Sequence, residues 1–211
     1  MLRSSLNIWR SRPVGDTLVM RHPLTSNLET LDTGQSVTKS GTVTFGTYNG
    51  KKSGRFYASG YLTLGSPFFD WTKGFAYSIW AYFSTSGNNR TFISAGDSNG
   101  GLSMSKNNSN QYNTFGNTFT ATIGTGAWHH IAATLDDTGT IITVYRDGVS
   151  VGTYTRAMAP GVGDISLMAI GSNVPGLSYH TREVYLCDAR IYASCLSSNA
   201  IAEIYQEGDN P

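Results

Sequence analysis

Charged side chains are scarce. The 15 Lys and Arg and 14 Asp and Glu make up only 14% of the 211 residues, against roughly 25% in an ordinary soluble domain. Ser, Thr, Asn and Gly must therefore supply the polar surface. The formal net charge is +1, so no global field draws the molecule to nucleic acid or a membrane surface. No apolar run approaches the ~20 residues of a membrane-spanning helix. Cysteine is nearly absent, and Cys187 and Cys195 match no zinc or redox spacing. An extended chain holds them beyond disulfide reach. They are expected as two free thiols, with a bridge possible only if the chain bends sharply between them. The opening MLRSSLNIWRSRPVGD carries positive charge but not the ~7–15 apolar residues of a secretory leader. Either a new Met precedes a mature sequence, or the protein leaves its cell by another route, such as lysis of a phage-infected host.

What charge there is sits unevenly. Arg3, Arg10, Arg12 and Arg21 oppose Asp16 alone in the first 21 residues. Residues 1–16 are expected to form an arm, with Arg3, Trp9, Arg10 and Arg12 able to meet a partner; the plainer reading is a solvated tail. Residues 17–211 then form one domain, long enough for a proper core.

Aromatics at 12% and 24 glycines point to many short strands joined by tight turns. Leu18-Val19-Met20 is a short apolar run, and Thr42–Phe45 and Tyr61–Leu64 alternate with period two between glycines. The clearest strand is Phe75–Phe83. Phe75, Tyr77, Ile79, Ala81 and Phe83 share the face expected in the core, while Ala76, Ser78, Trp80 and Tyr82 share a mixed face suited to partial cover or contact. Thr91–Ala95, Leu102–Ser105, Trp128–Leu135, Ile165–Ile170 and Val184–Tyr192 read as further strands. Residues 107–117, rich in Asn, read as hairpin and loop without a placed register. Asp147-Gly148 between β-rich runs predicts a two-residue hairpin, since a type I′ turn needs two residues at positive φ. One helix is expected at the C-terminus, capped by Ser197, stapled by Leu196 and Ile201, ended by Gly208, and packed at the rim. The fold class is thus all-β: a two-sheet antiparallel β-sandwich with one short C-terminal helix.

Three segments in order, GFAYSIWAYF (74–83), WHHIAATLDDTGTIITVYRDGVSVG (128–152) and DARIYASCLSSNAIAEIY (188–205), resemble the laminin G-like jelly rolls of the concanavalin A-like lectin/glucanase superfamily. The matching positions are Trp80, Trp128 to His130, Asp147-Gly148, Asp188, Arg190 to Tyr192, Leu196-Ser197 and Ile201. The resemblance implies two antiparallel sheets of about six or seven strands each. It does not imply one function, because this fold hosts sugar binders, adhesins, glucanases and virion proteins.

Glucanases of this superfamily carry paired carboxylates on one strand, one acid protonating the leaving oxygen while the other attacks. The four glutamates here are Glu29, Glu183, Glu203 and Glu207. Glu183 and Asp188 come nearest to a pair, and they differ in strand parity. The chain is accordingly read as no enzyme. His129 and His130 point to opposite faces of a strand and cannot share a metal. Calcium is a candidate cofactor, through Asp97 and Asn99 in an oxygen-rich loop, although Asx-rich turns also occur without an ion. Sugar binding wants an aromatic face with amide or Arg partners, which singles out Asn88, Asn89, Arg90, Asn107, Asn108 and Tyr112; ordinary polar loops have the same composition.

The sequence therefore points to a non-catalytic binding or assembly protein. The first reading is a phage virion component, a capsid decoration or fibre-type protein, with other virion proteins or a second copy as partner and host glycans as a further contact. The alternative is a secreted or cell-surface carbohydrate-binding or adhesion module, located outside the cell. Neither reading involves nucleic acid or a membrane span.

Overall fold

The computed structural model describes residues 18–25, 37–64, 74–85, 90–97, 100–114, 117–155, 167–172 and 183–208. The arm of residues 1–16, with Arg3, Trp9, Arg10 and Arg12, lies outside them.

Among the described residues thirteen strands pair antiparallel in one sheet, eleven of them along a continuous hydrogen-bonded path folded into two layers. The front layer runs β11 (Val149–Thr155), β10 (Ile141–Arg146), β9 (Trp128–Leu135), β4 (Phe75–Tyr82), β13 (Val184–Tyr192) and the first half of β3 (Lys51–Leu64). The back layer runs from the second half of β3 through β12 (Leu167–Ile170), β5 (Arg90–Asp97), β6 (Gly100–Lys106), β7 (Gln111–Thr114) and β8 (Asn117–Thr122). β1 (Leu18–His22) pairs with β13, and β2 (Val37–Tyr48) follows β3 along its length.

The two layers are therefore not separate sheets of six or seven strands. The β2–β3 hairpin belongs to both: Gly54–Phe56 pairs with β13, and Leu62–Leu64 pairs with β12. The bend falls where the register shifts between Ser40 and Thr42. Gly60 permits it, since a Cβ there would lie 2.0 Å from the Thr42 carbonyl oxygen. At the other edge the Phe119 ring of β8 lies against Gly152 of β11, nearly closing the sandwich into a barrel.

Inward-facing residues of both layers form the core. Phe75, Tyr77, Ile79, Ala81 and Phe83 are buried as the alternation requires, against Phe56, Leu62, Phe92, Met104, Ile131, Ala133, Leu186 and Ile191. Each large apolar side chain buried this way contributes about 1.5–3 kcal/mol. The Asp147-Gly148 turn has φ of 53° and 78°, as a type I′ hairpin demands. Asn49-Gly50, with φ of 49° and 84°, turns β2 into β3 in the same way.

Helix α1 (Ser198–Gly208) begins at Ser197, whose hydroxyl accepts a hydrogen bond from the Ala200 amide at 3.2 Å. It does not sit at the rim. Ala200, Ile201 and Ile204 lie on the outer face of the front layer, against Ala76, Ala132, Tyr145, Tyr192 and Leu196. The two small alanines let the helix approach the sheet closely.

Candidate binding face

Helix α1 covers only part of that outer face. Beyond it, Thr44, Arg55, Tyr185, Tyr82 and Trp128 stand directly opposite one another across β2, β3, β13, β4 and β9. Paired residues of antiparallel strands share a face, so the five side chains form one transverse row. The Tyr82 ring lies 5.7 Å from Trp128 and 5.8 Å from Tyr185. Tyr48 packs on Tyr185 at 4.8 Å and shares a 3.2 Å hydrogen bond with the Thr44 hydroxyl. Tyr48, Tyr82, Trp128 and Tyr185 are all half-buried, so each shows part of its ring to solvent. The Trp128 indole N–H donates to the Asn49 carbonyl at 3.1 Å, fixing that ring to the hairpin turn.

The row is polar at one end. Arg55 Nε donates to the Glu183 carboxylate, and the guanidinium lies 5.5 Å from the ring of Tyr57, which is 47% exposed. The hydrogen bond to Glu183 and its negative charge raise the Arg55 pKa further. Burial, followed by the neighbouring Glu183 carboxylate, raises that of the Tyr185 hydroxyl.

The adjoining row, under the helix, is closed. Cys187, Trp80 and His130 stand opposite one another on β13, β4 and β9. Tyr205 of α1 stacks on Trp80 at 5.5 Å and lies 5.9 Å from His130. Gly208 sits so close that a Cβ would be 2.2 Å from Trp80 Nε1. Lys51 Nζ donates to the Gly208 carbonyl at 3.3 Å and lies 4.3 Å from the Trp80 ring. Trp80 Nε1, both His130 ring nitrogens and Ser78 Oγ are buried without a hydrogen-bond partner among the described residues. Burial pushes the His130 pKa down to about 4, with Arg190 adding to the effect.

A buried ion cluster anchors this arrangement. Asp188 accepts from Arg190 Nη2 at 2.7 Å and from Arg21 Nε at 2.7 Å, and Arg190 Nη1 donates to Glu207 at 2.7 Å. β1, β13 and α1 are thus tied together through Arg190 and the two carboxylates of Asp188 and Glu207. Burial works against ionisation of Asp188, but Arg190 and Arg21 outweigh it and hold the carboxyl below its ordinary range.

Of the described residues singled out from sequence, Arg90 and Tyr112 stand on the strands either side of Lys106, beside Asn107. Asn88, Asn89 and Asn99, and the side chain of Asp97, lie outside the described residues. Arg90 is 3% exposed and its Nε donates to the Glu183 carbonyl at 3.3 Å. Tyr112 is fully buried in the core because Gln111–Thr114 is a strand, not a loop. It offers no surface to a ligand. The Asn107 side chain holds its own turn, accepting from the Ser109 and Gln111 amides at 2.9 Å each. Asn108 is exposed beside it. His129 and His130 do diverge: His129 Nδ1 is 2.9 Å from Asp147, while His130 turns under α1. Cys187 and Cys195 form no disulfide. Among the described residues no group of three or more His, Cys, Asp or Glu could hold a metal ion, and no helix is long and apolar enough to cross a membrane.

The aromatic row was not singled out from sequence. Its signal was the shared parity of Trp80 and Tyr82 on one strand and of Trp128 and His130 on the next, at strand ends facing away from the core.

A laminin G family model, described as the concanavalin A-like lectin/glucanases superfamily, matches residues 56–202, well over half the chain. The chain belongs to that superfamily. No curated protein sequence matches this concanavalin A-like domain. Among solved structures, it is similar to the binding domain of botulinum neurotoxin serotype G, with 14% identity and a TM-score of 0.68 over 92% of this chain and 51% of that one. The serotype D binding domain is similar at 13% identity and a TM-score of 0.69, over 90% of this chain and 52% of that one. A Trypanosoma rangeli sialidase mutant displaying trans-sialidase activity is similar at 14% identity and a TM-score of 0.73, over 92% of this chain and 33% of that one. At these identities the likeness is one of fold. The concanavalin A-like chain spans about half the length of the toxin domains and a third of the sialidase.

Proposed function

We propose that this domain is a non-catalytic carbohydrate-binding module that uses the row Tyr48–Tyr185–Tyr82–Trp128. The row itself carries the reading: four half-buried rings in contact, beside the Arg55–Glu183 pair, on the part of the sheet that α1 leaves open. Rings of this kind take the apolar C–H face of a sugar, and an ion pair beside them offers both donors and acceptors to its hydroxyls. Hydrolysis would need a second carboxylate across the sugar from the first. In the row itself the carboxylate on offer is Glu183, already engaged by Arg55. The fold neighbours, toxin binding domains and a sialidase, favour the reading of a glycan-binding module displayed outside a cell over a virion component. Nothing in those comparisons points to a virion.

The test is a broad glycan array, run with and without calcium, comparing the parent chain with the Tyr82→Ala/Trp128→Ala double variant. Binding that falls at least tenfold in the variant, with an unchanged fold by circular dichroism, supports the proposal. A parent chain silent on every glycan in both conditions overturns it. Release of shorter sugars from a bound ligand would overturn the non-catalytic part alone.

A further inference from the structure

Resting on the carbohydrate reading of this face, we infer that its ligand is a single soluble chain of neutral sugars, laid across the strands from Trp128 to Arg55, with a terminal diol gripped by Arg55 and Glu183. Four observations combine to give this class. The first is length. Successive rings from Tyr48 to Trp128 are 4.8, 5.8 and 5.7 Å apart. Tyr185, Tyr82 and Trp128 stand on adjacent strands, about 4.8 Å apart, and Tyr48 reaches over β3 to extend them; each step is close to the advance of one pyranose unit. Three intervals accommodate three to four units, so one sugar would use only a fraction of the row.

The second is tilt. Neighbouring rings are inclined at 48°, 75° and 50°. A flat crystalline polysaccharide needs coplanar rings to touch several at once. A single chain in solution can twist to meet each ring in turn.

The third is the polar end. Arg55 spends Nε on Glu183, and its two Nη groups carry no hydrogen bond among the described residues. The Glu183 carboxylate also acts on the Tyr185 hydroxyl, helping burial to raise its pKa. Free guanidinium donors beside a carboxylate acceptor match two neighbouring hydroxyls, one accepting and one donating.

The fourth is charge. Arg55 and Glu183 cancel, so a carboxylate-bearing sugar that reached the Nη groups would sit against the Glu183 carboxylate and be disfavoured. The nearby lysines do not reverse this. Lys51 is committed to the Gly208 carbonyl and the Trp80 ring. Lys52 has the opposite strand parity to Arg55.

The experiment is calorimetric titration with soluble gluco-, manno- and galacto-oligosaccharides of one to six units. Oligogalacturonate serves as the acidic counterpart and microcrystalline cellulose as the flat surface. In at least one neutral series, affinity should rise roughly tenfold from one unit to four and then level off, as added rings are engaged. Oligogalacturonate should bind at least tenfold more weakly, and Glu183→Gln should narrow that gap while leaving the melting temperature unchanged. Cellulose should not sediment the protein. A monosaccharide binding as tightly as a tetrasaccharide, a preference of the parent chain for oligogalacturonate, or retention on cellulose would each overturn the inference while sparing the carbohydrate reading. Silence with every sugar would overturn both.

Discussion

The Asp188 carboxylate lies 2.7 Å from Arg190 Nη2, only two positions further along the same strand. Neighbours at that spacing reach each other because Asp188 adopts φ of 49° at a register shift between Cys187 and Arg190. The distortion buries a charge pair, which Arg21 and Glu207 complete from its exposed side.

Removing one partner should therefore be costly. Arg190→Met leaves Asp188 buried beside only the half-exposed Arg21, and loss of one partner from a buried pair costs about 3–5 kcal/mol. Urea unfolding of Arg190→Met against the parent chain measures it. A loss under 1 kcal/mol would mean that the cluster is solvated in solution.

Acid should weaken the fold before the Asp188 carboxyl is protonated. Burial pushes the pKa of both His22 and His130 from 6.5 to about 4. The unfolded chain takes up these protons near pH 6.5, and the folded protein does so only near 4. Stability should thus fall as pH drops through that window, by about 1.4 kcal/mol per pH unit for each histidine. Unfolding curves at pH 7, 5.5 and 4.5 read the slope. His130→Phe should remove about half of it, and an unchanged slope would exclude His130 as a source.

Two glycines should fail for different reasons when changed to alanine. At Gly208 the new Cβ meets the Trp80 indole and must push α1 off the sheet, an overpacking cost of about 1–3 kcal/mol. At Gly50 nothing lies within 4 Å, but φ of 84° is strained for alanine by about 1–2 kcal/mol. Only Gly208→Ala should alter the near-ultraviolet signal of Trp80 and speed proteolysis of the helix.

The two thiols should be distinguishable by a disulfide reagent such as DTNB. Cys187 is 3% exposed, and burial pushes its pKa up to about 12, so its reactive thiolate is almost absent at neutral pH. Cys195 is half-buried. One thiol should react in the native protein and the second only on unfolding. Two fast equivalents would show that the front layer opens locally at Cys187.

Much of the fold was legible because its signals are local. The alternation from Phe75 to Phe83 shows in a few consecutive residues, and so do the Asp147-Gly148 turn and the Ser197 cap. Asn49-Gly50 carries the same turn signal, but it lies between strands too weakly apolar to frame it. Tyr112 was misplaced because the Asn-rich flanks of its strand read as loop. The aromatic row was hidden for a different reason. Tyr48, Tyr82, Trp128 and Tyr185 come from four strands, and their contacts depend on pairing registers that no short window contains. Parity could have put two of them on one face, but only the assembled sheet brings all four into contact.

β13 lies at the centre of the front layer, between β4 and β3, and also receives β1. Yet among the described residues it is the last strand, beginning only at Val184. During synthesis β1, β3 and β4 leave the ribosome long before the strand that joins them, with their pairing edges open in the meantime. The front layer can close only when Val184–Tyr192 has emerged. Its stability is thus acquired late in the synthesis of this domain, and a chain cut short before Val184 should be recognised as unfinished by chaperones and proteases.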